Sequence, residues 1–160
     1  MQLRRWSAMG SAMAVVLILA VMIAVPRTTA QTCPKGKLRI YASLPFQGVT
    51  HGTAIGLKSG LQMAAAEVDG VVAGYCLEVV TLDGNSPQTI TWDPVIEARN
   101  ASTAVADPDA IGYVGPFTSG ASTISMPITN RASMAQLGPT ATYAGLTRRA
   151  AGAEDGEPWI

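Results

Sequence analysis

Two hydroxyl-rich stretches hold the most usable chemistry of the chain. Thr118, Ser119 and Ser122 stand just before or at the start of a predicted helix, and Thr140 and Thr142 stand in the loop after the following strand. A helix start presents unpaired N–H groups and the positive end of the helix dipole, so the first loop suits an anion. The second loop adds hydroxyls, and its backbone carbonyls can accept from an ammonium. A carboxylate on one loop and an ammonium on the other describe an amino acid. The competing reading is that these residues are caps and turn formers with no ligand, as serine and threonine commonly are.

Other chemistries fit the residues less well. Gly48, Gly52 and Gly56 follow the first predicted strand at intervals of four, which is not the GxGxxG spacing of a dinucleotide loop. They read instead as glycines easing a tight loop and close helix packing, and Asp83 after the second strand is merely compatible with a ribose contact. Lys58-Ser59 ends like a phosphate loop, but Leu57 occupies the glycine position. Ser119 lacks the Gly-x-Ser-x-Gly setting of a nucleophile elbow, and the single histidine, His51, lies in a glycine-rich loop where contact with solvent or ligand is the simpler role. No Cys-x-x-Cys, paired histidines or clustered carboxylates suggest a metal, and nothing calls for a cofactor. Asn100-Ala101-Ser102 matches a glycosylation triplet in the middle of a predicted helix. A binding lobe is expected rather than an enzyme.

The elements that must position these loops alternate along the chain. Leu38–Leu44 reads as a strand, broken by Pro45-Phe46-Gln47-Gly48. A helix follows from Thr53 to Val68, its face drawn by Leu57, Leu61, Ala64 and Val68, and Asp69-Gly70 stops it. After a turn at Gly74-Tyr75, Leu77–Leu82 is nearly continuous in apolar character, as suits a parallel strand covered on both faces. Asp93 caps a helix that opens with Pro94 and runs to Ala106. Ile111–Val114 is the third strand. Ser119 or Ser122 caps the next helix, which reaches Arg131 with a kink at Pro127, and Ala135–Gly138 is the fourth strand. Four strand–helix repeats predict an α/β fold, an open parallel sheet of Rossmann-like topology with right-handed crossovers. With the strands ordered 2-1-3-4, the loops at Pro45–Gly52, Gly115–Ser122 and Gly138–Tyr143 emerge on one edge, where such sheets bind ligands.

Composition narrows the setting. The 160 residues hold one domain, and their formal charge sums to zero. Arg4 and Arg5 precede an apolar run from Ala12 to Val25, the pattern of a secretory leader cleaved after Ala30, with an uncleaved membrane anchor as the alternative. Without residues 1–30, eight basic residues face eleven acidic ones, which offers no electrostatic case for nucleic acid. In an exported chain the two cysteines, Cys33 and Cys76, are expected to pair, two buried free thiols being the alternative. Ala30-Gln31-Thr32 is a poor lipoprotein box before Cys33.

Several of these segments, taken in order, carry a resemblance. Ser43–Gly48, Trp92-Asp93-Pro94, Gly115–Ser122, Pro127-Ile128 and Tyr143–Arg148 follow the order and spacing seen in the substrate-binding proteins of branched-chain amino acid ABC transporters. The chain resembles these type I periplasmic binding proteins over residues 38–149. The resemblance implies two α/β lobes that close on a ligand, delivery to a membrane permease and residence outside the cytoplasm. It implies that residues 31–149 form the first lobe and that residues 150–160 begin the crossover to a second lobe lying beyond this sequence. It also implies that Ser119 and Thr142 hold the carboxylate and ammonium of the ligand, with backbone help from Phe117 and Ala141. Phe46 or His51 is the candidate contact from the first loop. Other readings of the same fold are the ligand-binding domain of an anchored sensor and a nucleotide-dependent enzyme.

Overall fold

The computed structural model describes residues 32–88 and 90–146. The expected leader at 1–30 and the expected crossover at 150–160 lie outside the described residues. Strand β1 spans Lys37–Leu44, helix α1 His51–Glu67, β2 Val71–Val72, β3 Tyr75–Asp83, α2 Pro94–Ala106, β4 Ala110–Val114, α3 Ser119–Arg131 and β5 Ala135–Leu137. The sheet order is β2-β3-β1-β4-β5. All pairings are parallel except β2 with β3, so the sheet is mixed and mostly parallel.

The antiparallel edge corrects the expected all-parallel sheet. Ala73 and Gly74 both take positive φ, 52° and 90°, which closes a two-residue hairpin between Val72 and Tyr75. The chain reverses on itself there before β3 begins.

Alternation along β1 divides the core. Tyr41 points to the face covered by α2 and α3, where Ala101, Ala104 and Tyr113 are buried with Val80, Leu82 and Ile128 packed around them. Ala42 and Leu44 point to the other face and meet Ala54 of α1, with Phe46, Leu57 and Leu61 against them. Helix α1 begins at His51, two residues earlier than expected. Its inward residues are Ala54, Leu57 and Leu61, whereas Ala64 and Val68 are exposed. Gly52 and Gly56 also lie within α1, and a Cβ at either would meet only open space, so neither serves a tight loop or close packing.

Caps set the other helices. The Asp93 carboxylate accepts from Val95 N at 2.8 Å and Ile96 N at 3.1 Å, with Pro94 as the first helical residue. At α3 the cap is Thr118, not Ser119 or Ser122: its hydroxyl oxygen accepts from Ala121 N at 3.2 Å. Ser122 is buried one turn on and donates to the Thr118 carbonyl at 3.1 Å. The helix passes through Pro127 as one element.

At the amino end of the sheet, Arg39 bridges three acids. It lies 2.9 Å from Glu78, 2.8 Å from Asp107 and 3.4 Å from Asp109. Lys37 pairs with Glu78 at 2.6 Å, and the Tyr41 hydroxyl donates to Asp107 at 2.8 Å. The guanidinium, helped by the Asp109 N–H and Tyr41, holds the Asp107 carboxyl down to about 2. Cys33, ahead of β1, and Cys76, at the start of β3, form a disulfide with Cα atoms 5.3 Å apart.

Candidate functional site

The carboxyl ends of β1, β3, β4 and β5 place their loops on one edge. Strand β4 leaves the sheet through Gly115, which has φ +112° and precedes a cis bond to Pro116. A side chain at Gly115 would collide with the Ser43 carbonyl on β1, so only glycine lets the two strands approach there. The Gly115 N–H donates to Leu137 O at 2.8 Å, which ties the exit of β4 to the end of β5.

Two further links join the hydroxyl-rich loops. The Thr140 hydroxyl donates to Phe117 O. The Ser119 Oγ accepts from the backbone N–H groups of Thr142 and Tyr143, each at 3.2 Å. Ser119 and Thr142 are thus brought together, as neighbours bound to each other. The Ser119 oxygen is occupied as an acceptor, but its own proton has no acceptor among the described residues. The Thr142 hydroxyl has no partner there either.

Two cavities flank this seam. The first, of about 160 Å³, opens between the ends of β1 and β3 and the start of α3; Phe117 and Thr118 line it. Its walls are largely apolar, and its lip carries the exposed side chains of Val49, Ile90 and Trp92. The Trp92 ring lies over the start of α3, where a Cβ at Gly120 would come within 3.1 Å of it. The second, of about 340 Å³, lies between α3 and the segment after β5, and Ala141 and Tyr143 line it. Ser119 and Thr142 line neither of these two cavities.

Phe46 stands apart from both. Its ring packs half-buried on the core cluster beneath α1, with Lys58 Nζ 5.9 Å from the ring centre. The His51 Nδ1 donates to Phe46 O at 2.6 Å, which engages the imidazole locally. Asp83 organises the same loop, accepting from Phe46 N at 3.1 Å, Gln47 Nε2 at 2.8 Å and Asn85 N at 3.0 Å. It thus serves the turn through its carboxylate, beside the cavity rather than in it.

The first cavity has a polar floor that the sequence reading passed over. Glu97 is 1 % exposed yet reaches the cavity wall. Its carboxylate accepts from the Ser43 hydroxyl at 2.6 Å and from the Tyr113 hydroxyl at 2.7 Å. Asn100 donates to Ser43 Oγ at 3.0 Å and to Asp83 O at 2.9 Å, so this buried amide is structural and no glycosylation site. Burial pushes the Glu97 carboxyl up, partly opposed by these hydroxyls, and pushes the Tyr113 phenol up as well. The signal was available: Glu97, Asn100, Ala101 and Ala104 share one face of α2 at helical spacing. Asn85, 3 % exposed, also lines the cavity; its Oδ1 has no hydrogen-bond partner among the described residues.

Among the described residues, no group of three or more His, Cys, Asp or Glu is arranged to hold a metal ion. No protein-family model matches this chain, and no curated protein sequence matches it. Solved structures do match. The branched-chain amino acid transporter substrate-binding protein LivJ from Streptococcus pneumoniae, in complex with isoleucine, gives a TM-score of 0.59 at 25 % identity, over 69 % of this chain and 30 % of its own. An ABC transporter substrate-binding protein from Sphaerobacter thermophilus gives 0.61 at 19 % identity, over 70 % and 29 %. A solute-binding protein of an ABC transporter from Rhodopseudomonas palustris, in complex with 3,4-dihydroxybenzoic acid, gives 0.57 at 16 % identity, over 66 % and 27 %. This chain therefore spans about 30 % of the length of the first of these proteins. Its described domain has the α/β fold of one lobe of the periplasmic binding proteins.

Proposed function

We propose that this domain is a ligand-binding lobe of an exported substrate-binding protein, serving an ABC importer of amino acids or related small carboxylates. The observation that carries the reading is the joined pair of loops over the sheet edge. Ser119, pinned by two N–H groups, keeps its proton for a ligand carboxylate at the start of α3, and the neighbouring Thr142 hydroxyl is unengaged. Such a pair needs little ordering when a ligand arrives, which lowers the cost of binding. The fold shared with LivJ and the dihydroxybenzoate-bound protein supports the class of ligand. Phe117, Thr118 and Ala141 stand beside the pair as backbone contributors, and a membrane permease is the partner this role requires. Phe46 belongs to the loop's packing rather than to the site.

A single lobe covers one side of a small ligand, so binding is expected in the millimolar range and is best followed by nuclear magnetic resonance titration. Isoleucine and benzoate are the first probes. Ser119→Ala and Thr142→Ala should each weaken the tighter probe by ten- to a hundredfold, about 1.5–3 kcal/mol for a hydrogen bond to a charged group. Ser102→Ala is the control, because that exposed hydroxyl only returns to Ala98 O at 2.7 Å. Loop variants that fold and bind like the parent would leave these hydroxyls as mere turn formers.

A further inference from the structure

Among the described residues, Glu97 is the only charged side chain that is buried, and the two ligand loops leave it without a role. Its carboxylate draws together elements far apart in the chain. Ser43 brings the end of β1 and Tyr113 brings β4, while the Ser125 hydroxyl of α3 favours the same ionised carboxyl. The contacts continue outward. Ser125 Oγ accepts from Gln136 Nε2 at 2.9 Å, and that amide also donates to Gly115 O at 3.1 Å, so β5 and the exit of β4 join the cluster. Asn100, on the same face of α2, donates to Ser43 Oγ and to Asp83 O, which adds the end of β3. The four strands whose loops meet at the sheet edge are thus tied to one carboxylate and the amide beside it.

The cluster suits one arrangement of protons. Ser43 Oγ receives a hydrogen from Asn100 and gives its own to Glu97, and Tyr113 gives its own to the other carboxylate oxygen. A proton added to Glu97 would meet an O–H already pointing at it, so one hydroxyl would turn away from the only acceptor it has there. In an enclosed network such a change spreads to the neighbouring bonds. Other charges do not intervene. Tyr113 is the titratable group that β4 turns toward Glu97, and burial pushes its phenol up, away from ordinary pH. Asp83, at the end of β3, turns its carboxylate to Phe46 N, Gln47 Nε2 and Asn85 N. Ser43 and Ser125 carry no charge, and on α2 itself Asp93 caps the helix start while Arg99 is exposed. His51 belongs to α1, on the opposite face of the sheet.

From this geometry we propose that Glu97 is a positioning residue: through Ser43, Tyr113 and Ser125 it aligns the strand ends and the turn of α3 that present Ser119 and Thr142 to a ligand. The proposal rests on the reading of those two loops as the ligand site. Coupling of this kind is reciprocal, so a ligand that selects the aligned loops favours the ionised acid to the same degree.

The test follows the full chain by nuclear magnetic resonance from neutral pH downward, with isoleucine as the probe because it stays a zwitterion over that range. The carboxyl carbon of Glu97 reports its own titration, expected above the usual 4.5. The amide signals of Thr142 and Tyr143, the two N–H groups held by Ser119 Oγ, should follow the same curve. Isoleucine affinity should fall about tenfold as the acid takes its proton, the worth of one hydrogen bond. Saturation with isoleucine should in turn lower the Glu97 midpoint by about one pH unit. Glu97→Gln should hold both the amide signals and the affinity constant across the range. If that variant does not fold, the parent's shared or separate titration curves still decide. Loop amides that stay unmoved while Glu97 titrates would overturn the proposal and leave the acid to stability alone. An isoleucine profile unchanged in Glu97→Gln would overturn it too, assigning the pH dependence to another group such as His51. If isoleucine fails to bind while the amides still follow Glu97, the alignment stands and the amino-acid reading of the site falls.

Discussion

At the amino end of the sheet, Arg39, Glu78 and Asp107 form a network that is partnered throughout and partly open to water. At the carboxyl end, Glu97 is enclosed, and among the described residues the buried Asn85 Oδ1 has no hydrogen-bond partner. Exposed ion pairs exchange one set of favourable contacts for another with solvent, so their net contribution is small. Enclosed polar groups have no such exchange available, and each one left unmatched weighs fully against the fold. The same kinds of residue therefore mark scaffold at one end and, on the proposed reading, recognition at the other. What separates them is access to water rather than charge.

The comparison is most strongly tested where the amino end is covalently held. Replacing Cys33 and Cys76 together with serine removes a link across a sequence separation of 43 and should lower stability by about 4 kcal/mol in the chain-entropy picture. Denaturant unfolding gives the change, and a loss well under 1 kcal/mol would deny the amino end its anchoring role. Ligand affinity of the folded fraction should stay within about twofold of the parent, since the carboxyl-end loops keep their own links.

A somewhat smaller effect is expected at Glu97. Glu97→Ala strands the Ser43 and Tyr113 hydroxyls in a buried site and should cost about 3 kcal/mol. Glu97→Gln isolates the charge. Because burial raises this carboxyl in the folded state, ionising it costs stability as pH rises above the usual 4.5 and through the folded value. In the glutamine variant that decline should vanish. A decline of unchanged slope would mean that the carboxyl is not enclosed as described.

The smallest effect belongs to Asp107. With its carboxyl held at about 2, against 3.8 ordinarily, its contribution is complete above 3.8 and fades as pH falls through 2. The stability difference between the parent and Asp107→Asn should therefore be flat above 3.8 and close toward pH 2. It should also shrink with added salt, unlike any difference produced at Glu97.

Much of this organisation is legible in the amino-acid order. The apolar runs of β1, β3, β4 and β5, the Asp93-Pro94 start and the two hydroxyl-rich loops suffice to predict a parallel sheet, and, once the order 2-1-3-4 is assumed, to set those loops on one edge. Strand β2 escapes because two valines are too short to display any period; only the φ angles of Ala73 and Gly74 reveal the hairpin. The inward face of α1 is misjudged because its small side chains carry little contrast between faces. Three hydroxyls within five residues obscure which one caps α3, a choice made by backbone geometry at Thr118. The site divides in the same way. Ser119 and Thr142 are recognisable as residue types, but nothing in their spacing shows that one would bind the other's backbone. Glu97 hides for a different reason: a charged residue on an apolar face is ordinarily discounted, although its alignment with Ala101 and Ala104 points inward.

The disulfide also decides where the sheet can come apart. Cys76 is the first of the β3 residues in register with β1, opposite Lys37, and its bond to Cys33 closes that end of the ladder covalently. Fraying between these two strands must then start from Leu44 and Asp83, the end that carries the proposed ligand loops. Opening of the sheet and loss of the site become one event, so ligand occupancy should slow amide exchange along β1 and β3 well beyond the residues that any ligand touches.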